Sequence, residues 1–298
     1  MKKSRKYVFS PEELRELQLK ELDTLIYFKD FCEKHNLMFC FCGGCCIGSL
    51  RNKGFVPWDD DIDVFMLRND YEAFLKLWKQ EENETRYKLL QTDDKMFTGN
   101  IFATLVDTGA TCIKDYQAEL DVPHGLVMDI FPLDGCPSGY KRKFQKMWAM
   151  IYSLYRAQTV PVNHGKMLAF GSKFLLAVVP SKKLRYKLWR FAEKKMSKYP
   201  LDKCDYITEL CAGPGYMKNE YPKEDFMDVV LKDFEGYKMP LPIGYDDYLT
   251  IAFGDYMKMP PKEKQVPHHD VIFCDLKKGC DEYDRKIKNN CSQRRVPK

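Results

Sequence analysis

The 298-residue sequence has no uninterrupted apolar run near the ~18 residues that a helical membrane span requires. Residues 1–10 carry charge but no apolar h-region, so neither a membrane span nor secretion is expected. Charge of one sign is also missing: 48 Lys and Arg against 43 Asp and Glu leave +5, too little for a dedicated nucleic-acid binder. There is no internal repeat and no low-complexity segment, which excludes solenoid and linker architectures. The 12 cysteines lack regular spacing. Cys42-Gly43-Gly44-Cys45 is formally C-x-x-C, but no second such pair follows, and Cys204 with Cys211 is poorly spaced for a zinc ribbon. The cysteines are therefore expected as small core residues in a reducing cytosol, and a zinc or redox module is the weaker class. What is present is 45% hydrophobic and 14% aromatic residues, enough for a sizeable core in one large domain or two small ones.

Local signals give an order of elements. Ser10-Pro11-Glu12-Glu13 is a helix start, with a capping serine, an early proline and a capping-box glutamate. Leu14, Leu17, Leu22, Leu25 and Phe28 give that helix a buried stripe, ending near His35 and Asn36. Residues 37–42 read as a buried strand running into a tight turn at Gly43-Gly44, and residues 62–66 as a second strand. Asn69 is placed to cap a helix over 70–80. Strands are expected at 101–106 and 126–131, the latter followed by turn-rich sequence at 132–139. From 140 to 198 the chain is helical, basic and aromatic, with breaks at Gly165, Gly171 and Pro180. Phe234-Glu235-Gly236-Tyr237 reads as a turn between short strands, 245–252 as a short helix, and 277–298 as a polar tail that frays. The implied organisation is an α/β (α+β) core over 1–139, a basic helical insertion over 140–200, a mixed C-terminal part of the core over 201–276, and the tail.

The chemical signal is Asp59-Asp60-Asp61-Ile62-Asp63-Val64. On a strand, Asp61 and Asp63 point to one face while Ile62 and Val64 point to the other. Two carboxylates side by side repel unless a cation neutralises them, and a hard oxygen pair is what magnesium prefers. Magnesium completes its shell with water and substrate phosphates, so the pair points to phosphoryl chemistry. The bland alternative is a solvated aspartate loop, although apolar segments on both sides hold this run near a core. Gly43-Gly44 lets backbone approach a phosphate or forms an ordinary turn, and Arg51 and Lys53 either meet phosphates or are solvated.

The stretch from Gly43-Gly44-Cys45-Cys46-Ile47-Gly48 through Phe55-Val56-Pro57-Trp58-Asp59-Asp60-Asp61-Ile62-Asp63-Val64 resembles the signature of the LicD family. The resemblance continues in Met128-Asp129-Ile130-Phe131-Pro132-Leu133-Asp134-Gly135, Phe234-Glu235-Gly236, Tyr248-Leu249, Phe253-Gly254-Asp255-Tyr256-Met257, and Pro260-Pro261 before His268-His269. It implies a nucleotidyltransferase-like fold, a small mixed sheet flanked by helices, and a phosphotransferase moving a phospho-alcohol from a CDP-activated donor with release of CMP. CDP-choline is the default donor and a CDP-ribitol type donor the main alternative; the acceptor is a glycan such as lipopolysaccharide or teichoic acid. Asp61, Asp63 and Asp129 match the metal-binding and catalytic acids, with Mg2+ or Mn2+ as cofactor. Gly43, Gly44, Arg51, Lys53, Asp59, His268 and His269 are the substrate-contact candidates. Two positions depart from the family pattern: Cys45 replaces a threonine and Thr104 stands near a usual lysine. The basic helix over 181–198 suits either a solvated packed face or a membrane surface, so the expected location is cytoplasmic with peripheral contact at the inner membrane face left open.

Overall fold

In the computed structural model the described residues are 6–81, 85–158 and 166–283, the side chains of 166–169 excepted. Helix α1 (Pro11–Lys34) begins with the expected capping box: Ser10 Oγ accepts from Glu13 N, and the Glu13 side chain returns to the Ser10 N–H. Then follow β1 (Cys40–Phe41), α2 (Gly43–Arg51), β2 (Ile62–Leu67), α3 (Arg68–Gln80), β3 (Tyr87–Leu90), β4 (Ala103–Asp107), β5 (Thr111–Lys114) and β6 (Leu126–Cys136). Helices α4 (Gly139–Ala157), α5 (Lys166–Val178) and α6 (Lys182–Met196) form one block. The chain closes with β7 (Tyr206–Glu209), β8 (Tyr221–Pro222), β9 (Val229–Phe234), β10 (Tyr237–Pro242), α7 (Tyr245–Phe253) and β11 (Val271–Asp275).

The main sheet runs β1-β2-β6-β4-β3, with β7 added to β6 and β8 to β7. β2 and β6 are parallel while every other pairing in it is antiparallel, so the sheet is mixed, as the resemblance implied. Ile62, Val64, Leu105, Met128 and Ile130 are buried in one continuous core with Leu25, Phe28 and Phe74 from the covering helices. Two smaller sheets, β9-β10 and β5-β11, lie outside the main one.

Several sequence expectations shift. Only two residues of the 37–42 run pair with β2, and Gly43-Gly44 is not a tight turn: both glycines open α2. The sequence from Gly43 to Arg51 folds as a helix because its small residues, Cys45, Cys46, Gly48 and Ser49, let it lie close on the core. β6 does not stop at 131 but runs through Pro132 and Gly135 to Cys136, taking β7 as partner for its second half. Gly135 is required there, since a Cβ would lie 2.4 Å from the Tyr199 carbonyl oxygen. α3 starts at Arg68, one residue before Asn69, and has no side-chain cap, because Arg68 is drawn into a buried bidentate pair with Asp134 at 2.7 Å to each oxygen. Gly171 lies inside α5 and is no break, whereas Gly165 falls outside the described residues. The supposed tail is ordered up to residue 283: Cys280 is buried and its N–H donates to the Thr108 carbonyl, while 284–298 lie outside the described residues.

The helical block is fastened to the sheet by charge. Glu193 on α6 lies between Arg156 of α4 (3.6 Å) and Arg68 (3.9 Å), and Arg142 of α4 donates to Thr208, to the Met217 carbonyl and to Glu220.

Candidate active site

Parallel register puts Asp63 of β2 directly beside Asp129 of β6, and antiparallel register puts Thr104 of β4 beside Asp129. Partners in register share a sheet face, so these three form a polar row across three strands, on the face opposite Ile62 and Val64. The Cys42 N–H donates to the Asp63 carbonyl, so the start of α2 adjoins this row. Thr104 Oγ1 donates to Asp129 Oδ1 at 2.8 Å and accepts from Asn100 Nδ2, whose own side-chain oxygen accepts from the Tyr116 hydroxyl. The threonine that departs from the family pattern thus orients Asp129.

Lys114 was not singled out by sequence reasoning. It comes from β5, and its ammonium is buried within the reach of Asp129 and Asp61. Burial lowers its pKa, but the neighbouring anions, Asp129 first, outweigh that and hold it charged. A buried cation is therefore supplied at this site from a strand that no local sequence signal connects to it. Glu21, also missed, sits on the buried stripe of α1, where burial and then the charges of Asp61 and Asp60 push its pKa far up. A glutamate on an apolar helix face was a readable signal for it.

The aspartate loop is held by its neighbours. Gln18 Nε2 donates to the carbonyls of Val56 and Asp59. The Asp59 carboxylate lies against Gly44, where a Cβ would fall 1.9 Å from Oδ2. Gly44 is thus the residue that admits Asp59 to the N-terminal turn of α2, while Gly43 takes a left-handed φ of +47° and donates its N–H to the Tyr248 hydroxyl at 2.9 Å. Asp60 is turned away from the row: its carboxylate accepts the backbone N–H groups of His268 (3.0 Å) and His269 (3.2 Å), tying the last loop to the cluster. His268 is exposed and contributes only that N–H, whereas the His269 ring faces Asp60 Oδ1 at 3.2 Å and Asp61 Oδ2 at 3.9 Å. Arg51, in the last turn of α2, donates to the Tyr256 carbonyl and leaves its buried Nε without a partner. Lys53 is exposed, and its carbonyl accepts from Glu235 N in the hairpin that clasps this loop.

The electrostatics of the cluster are those of acids short of positive charge. Burial, then Asp61 and Asp60, raises Asp59 to about 8. Burial raises Asp61 and Asp63 too, with Asp61 and Asp129 adding to the effect on Asp63. Closely packed oxygen donors with raised pKa values fit a hard divalent cation. Among the described residues, the ligand atoms that converge within 4.8 Å belong to Asp60, Asp61 and His269, so His269 joins the metal-competent set, whereas the expected set of Asp61, Asp63 and Asp129 does not converge so closely. The thiols of Cys42 and Cys45 are driven up by burial, which opposes the thiolate that zinc would need.

The match to known proteins follows this geometry. The nucleotidyltransferase domain model of LicD/FKTN/FKRP matches residues 36–163, which contain α2, the aspartate loop, β4 and β6. The chain is also 37% identical, over 273 residues, to the lipopolysaccharide cholinephosphotransferase LicD of Haemophilus influenzae, covering 86% of this chain and 96% of that protein. The chain belongs to the LicD family. It is a phosphotransferase of that family, and its Asp63–Asp129–Thr104 row lies within the matched domain. α7, whose Tyr248 hydroxyl meets the Gly43 N–H, lies beyond the matched domain but within a chain related over most of its length.

Proposed function

We propose that this enzyme transfers phosphocholine from CDP-choline to a hydroxyl of a lipopolysaccharide-type glycan, releasing CMP. The observation that carries the reading is the placement of Asp63 beside Asp129 next to the glycine-opened helix, in a chain 37% identical to a cholinephosphotransferase. Asp61, Asp63 and Asp129 would hold Mg2+ or Mn2+, with His269 close by; when bound, the ion neutralises the diphosphate and the charge developing on the leaving CMP. The Gly43 N–H is taken by the Tyr248 hydroxyl, so the Gly44 N–H behind it and the orphan Nε of Arg51 are the donors offered to phosphate oxygens. Asp129, fixed through one oxygen by Thr104, would use the other either to share the ion or to take the proton of the acceptor hydroxyl as the hydroxyl oxygen attacks phosphorus and the P–O bond to CMP breaks. Lys114 keeps positive charge beside these acids through the reaction.

The test is CMP release from CDP-choline with magnesium. Asp61→Ala and Asp63→Ala are expected to lose at least about 100-fold in kcat while keeping the thermal melt of a folded chain. Wild-type turnover in both variants would end the reading.

The helical block supports contact with an anionic membrane surface. Residues 139–198 hold a single acidic residue, Glu193, among many lysines and arginines. On α5, Phe170, Phe174 and Val178 recur every four residues and are 74%, 61% and 60% exposed. Among the described residues no helix is long and apolar enough to cross a membrane. An apolar stripe on a short helix within a basic block suits the headgroup region of an anionic bilayer.

A further inference from the structure

Glu209, the last residue of β7, is only 5% exposed, and its carboxylate forms no hydrogen bond or ion pair with any described residue. A desolvated carboxylate without donors is costly unless a ligand completes it. Its surroundings are aromatic. Burial and then the charge of Glu209 raise the hydroxyls of Tyr216 and Tyr221, and Glu209 also bears on Tyr248. The rings form a chain: Tyr221 to Tyr248 at 5.3 Å, Tyr248 to Phe253 at 6.4 Å, and Phe253 to Tyr216 at 6.3 Å. Tyr221 and Tyr248 are fully packed, whereas Tyr216 and Phe253 are 37% and 39% exposed, so the ring chain runs from the core to solvent. Tyr216 is carried by a turn that depends on Gly213, whose φ is +100° and whose carbonyl accepts the N–H of both Tyr216 and Met217.

This group adjoins the catalytic row. The Tyr248 hydroxyl receives the Gly43 N–H, and the charge of Asp63 reaches both Cys42 and Tyr216. We infer that Glu209, with the ring faces of Tyr216 and Phe253, seats the quaternary ammonium of the donor. The chemistry selects that class. A trimethylammonium has no N–H to donate, so it is held by ring faces and by the negative charge that Glu209 takes on when the cation binds and its proton leaves to solvent. A primary ammonium would also reach the carboxylate oxygens but, being strongly hydrated, gains less from ring faces, and a polyol brings no positive charge to meet the carboxylate. The inference rests on the phosphocholine reading and sharpens it, because it separates choline from ethanolamine and from ribitol or glycerol.

The experiment uses the full chain with magnesium and measures CMP release from CDP-choline and CDP-ethanolamine, with CDP-glycerol as competitor. Glu209→Gln, nearly isosteric, and Tyr216→Ala, at an exposed turn, are compared with wild type after matching thermal melts. The expected result is a KM for CDP-choline raised about tenfold in each variant, kcat within about threefold, and an unchanged inhibition constant for CDP-glycerol. Wild-type turnover of CDP-choline with its KM and its preference over CDP-ethanolamine intact in both variants overturns this seat alone. A wild-type chain that turns over neither donor, or that is inhibited most tightly by CDP-glycerol, overturns the phosphocholine reading and the seat together.

Discussion

Carboxyl groups held above their usual range occur here in two settings, and only one of them is crowded. Asp59, Asp61 and Asp63 are raised by burial and by one another, so any cation that arrives relieves all three at once. Glu209 is raised to about 8 by burial alone. Its folded value therefore lies above its unfolded value, so its contribution to stability is complete below the ordinary glutamate pKa and is lost as pH rises through about 8. Glu209→Gln has no such group. Its urea midpoint, measured against wild type, is expected to gain between pH 5 and pH 8.5 by the equivalent of at least about 1 kcal/mol. A constant difference across that range would show that Glu209 is not held neutral. Which acids would gather was partly legible: the Asp61-x-Asp63 alternation is a local pattern. Glu21 was legible as a glutamate on the apolar face of α1, whereas Lys114 and Glu209 join through strands remote in sequence, and an isolated lysine or glutamate there carries no spacing to read.

At the scale of elements, α2 is the part most tightly specified. Gly48 packs where a Cβ would lie 2.4 Å from the Gly54 carbonyl oxygen, and Gly54 where a Cβ would lie 2.2 Å from Glu235 Oε1. The same glutamate accepts from Arg15 of α1 at 2.9 and 2.6 Å and from Phe55 N at 3.0 Å, so the β9-β10 hairpin clasps both α1 and the loop leading to the aspartates. Gly44→Ala tests this fit. Ala favours a helix, so α2 itself is not weakened, but the methyl group displaces Asp59. The expected outcome is a loss of about 10- to 100-fold in CMP release, with a melting temperature within a few degrees of wild type. Unchanged activity would mean that Asp59 is dispensable at the start of α2. The Gly-Gly pair was visible as a phosphate-approach signal, but not as a helix start, because glycine is a poor helix former and only packing against the sheet overrides that.

For the whole molecule, the question is how a basic helical block and an acidic site coexist in a chain of formal charge +5. The block is joined to the sheet and its flanks by Glu193 of α6 with Arg68 and by Arg142 of α4 with Thr208 and Glu220, so these charges are engaged there and, among the described residues, no cation of the block is paired with the site's aspartates. Its outward stripe on α5 gives the membrane proposal a direct test. With vesicles containing anionic phosphatidylglycerol, the wild-type chain is expected to sediment, and a Phe170→Ser, Phe174→Ser variant to lose at least about fivefold of the bound fraction. Vesicles of neutral phosphatidylcholine are expected to retain little of either. Equal binding of wild type and variant, or self-association of the wild type that vanishes in the variant without lipid, would assign the stripe to another role.

By itself the sequence determined the local pieces: the capped first helix, the alternating aspartate strand, the hairpin turn at Glu235-Gly236 and the family signature, since each depends on residues close together along the chain. Only the tertiary structure decided which charges meet. Register places Asp129 beside Asp63 and gives Thr104 to Asp129, a separate strand brings Lys114, and β7 sets Glu209 among rings from three segments. Coulomb forces and desolvation depend on distance in space and not on distance along the chain, so these groupings exist only once the sheet has assembled.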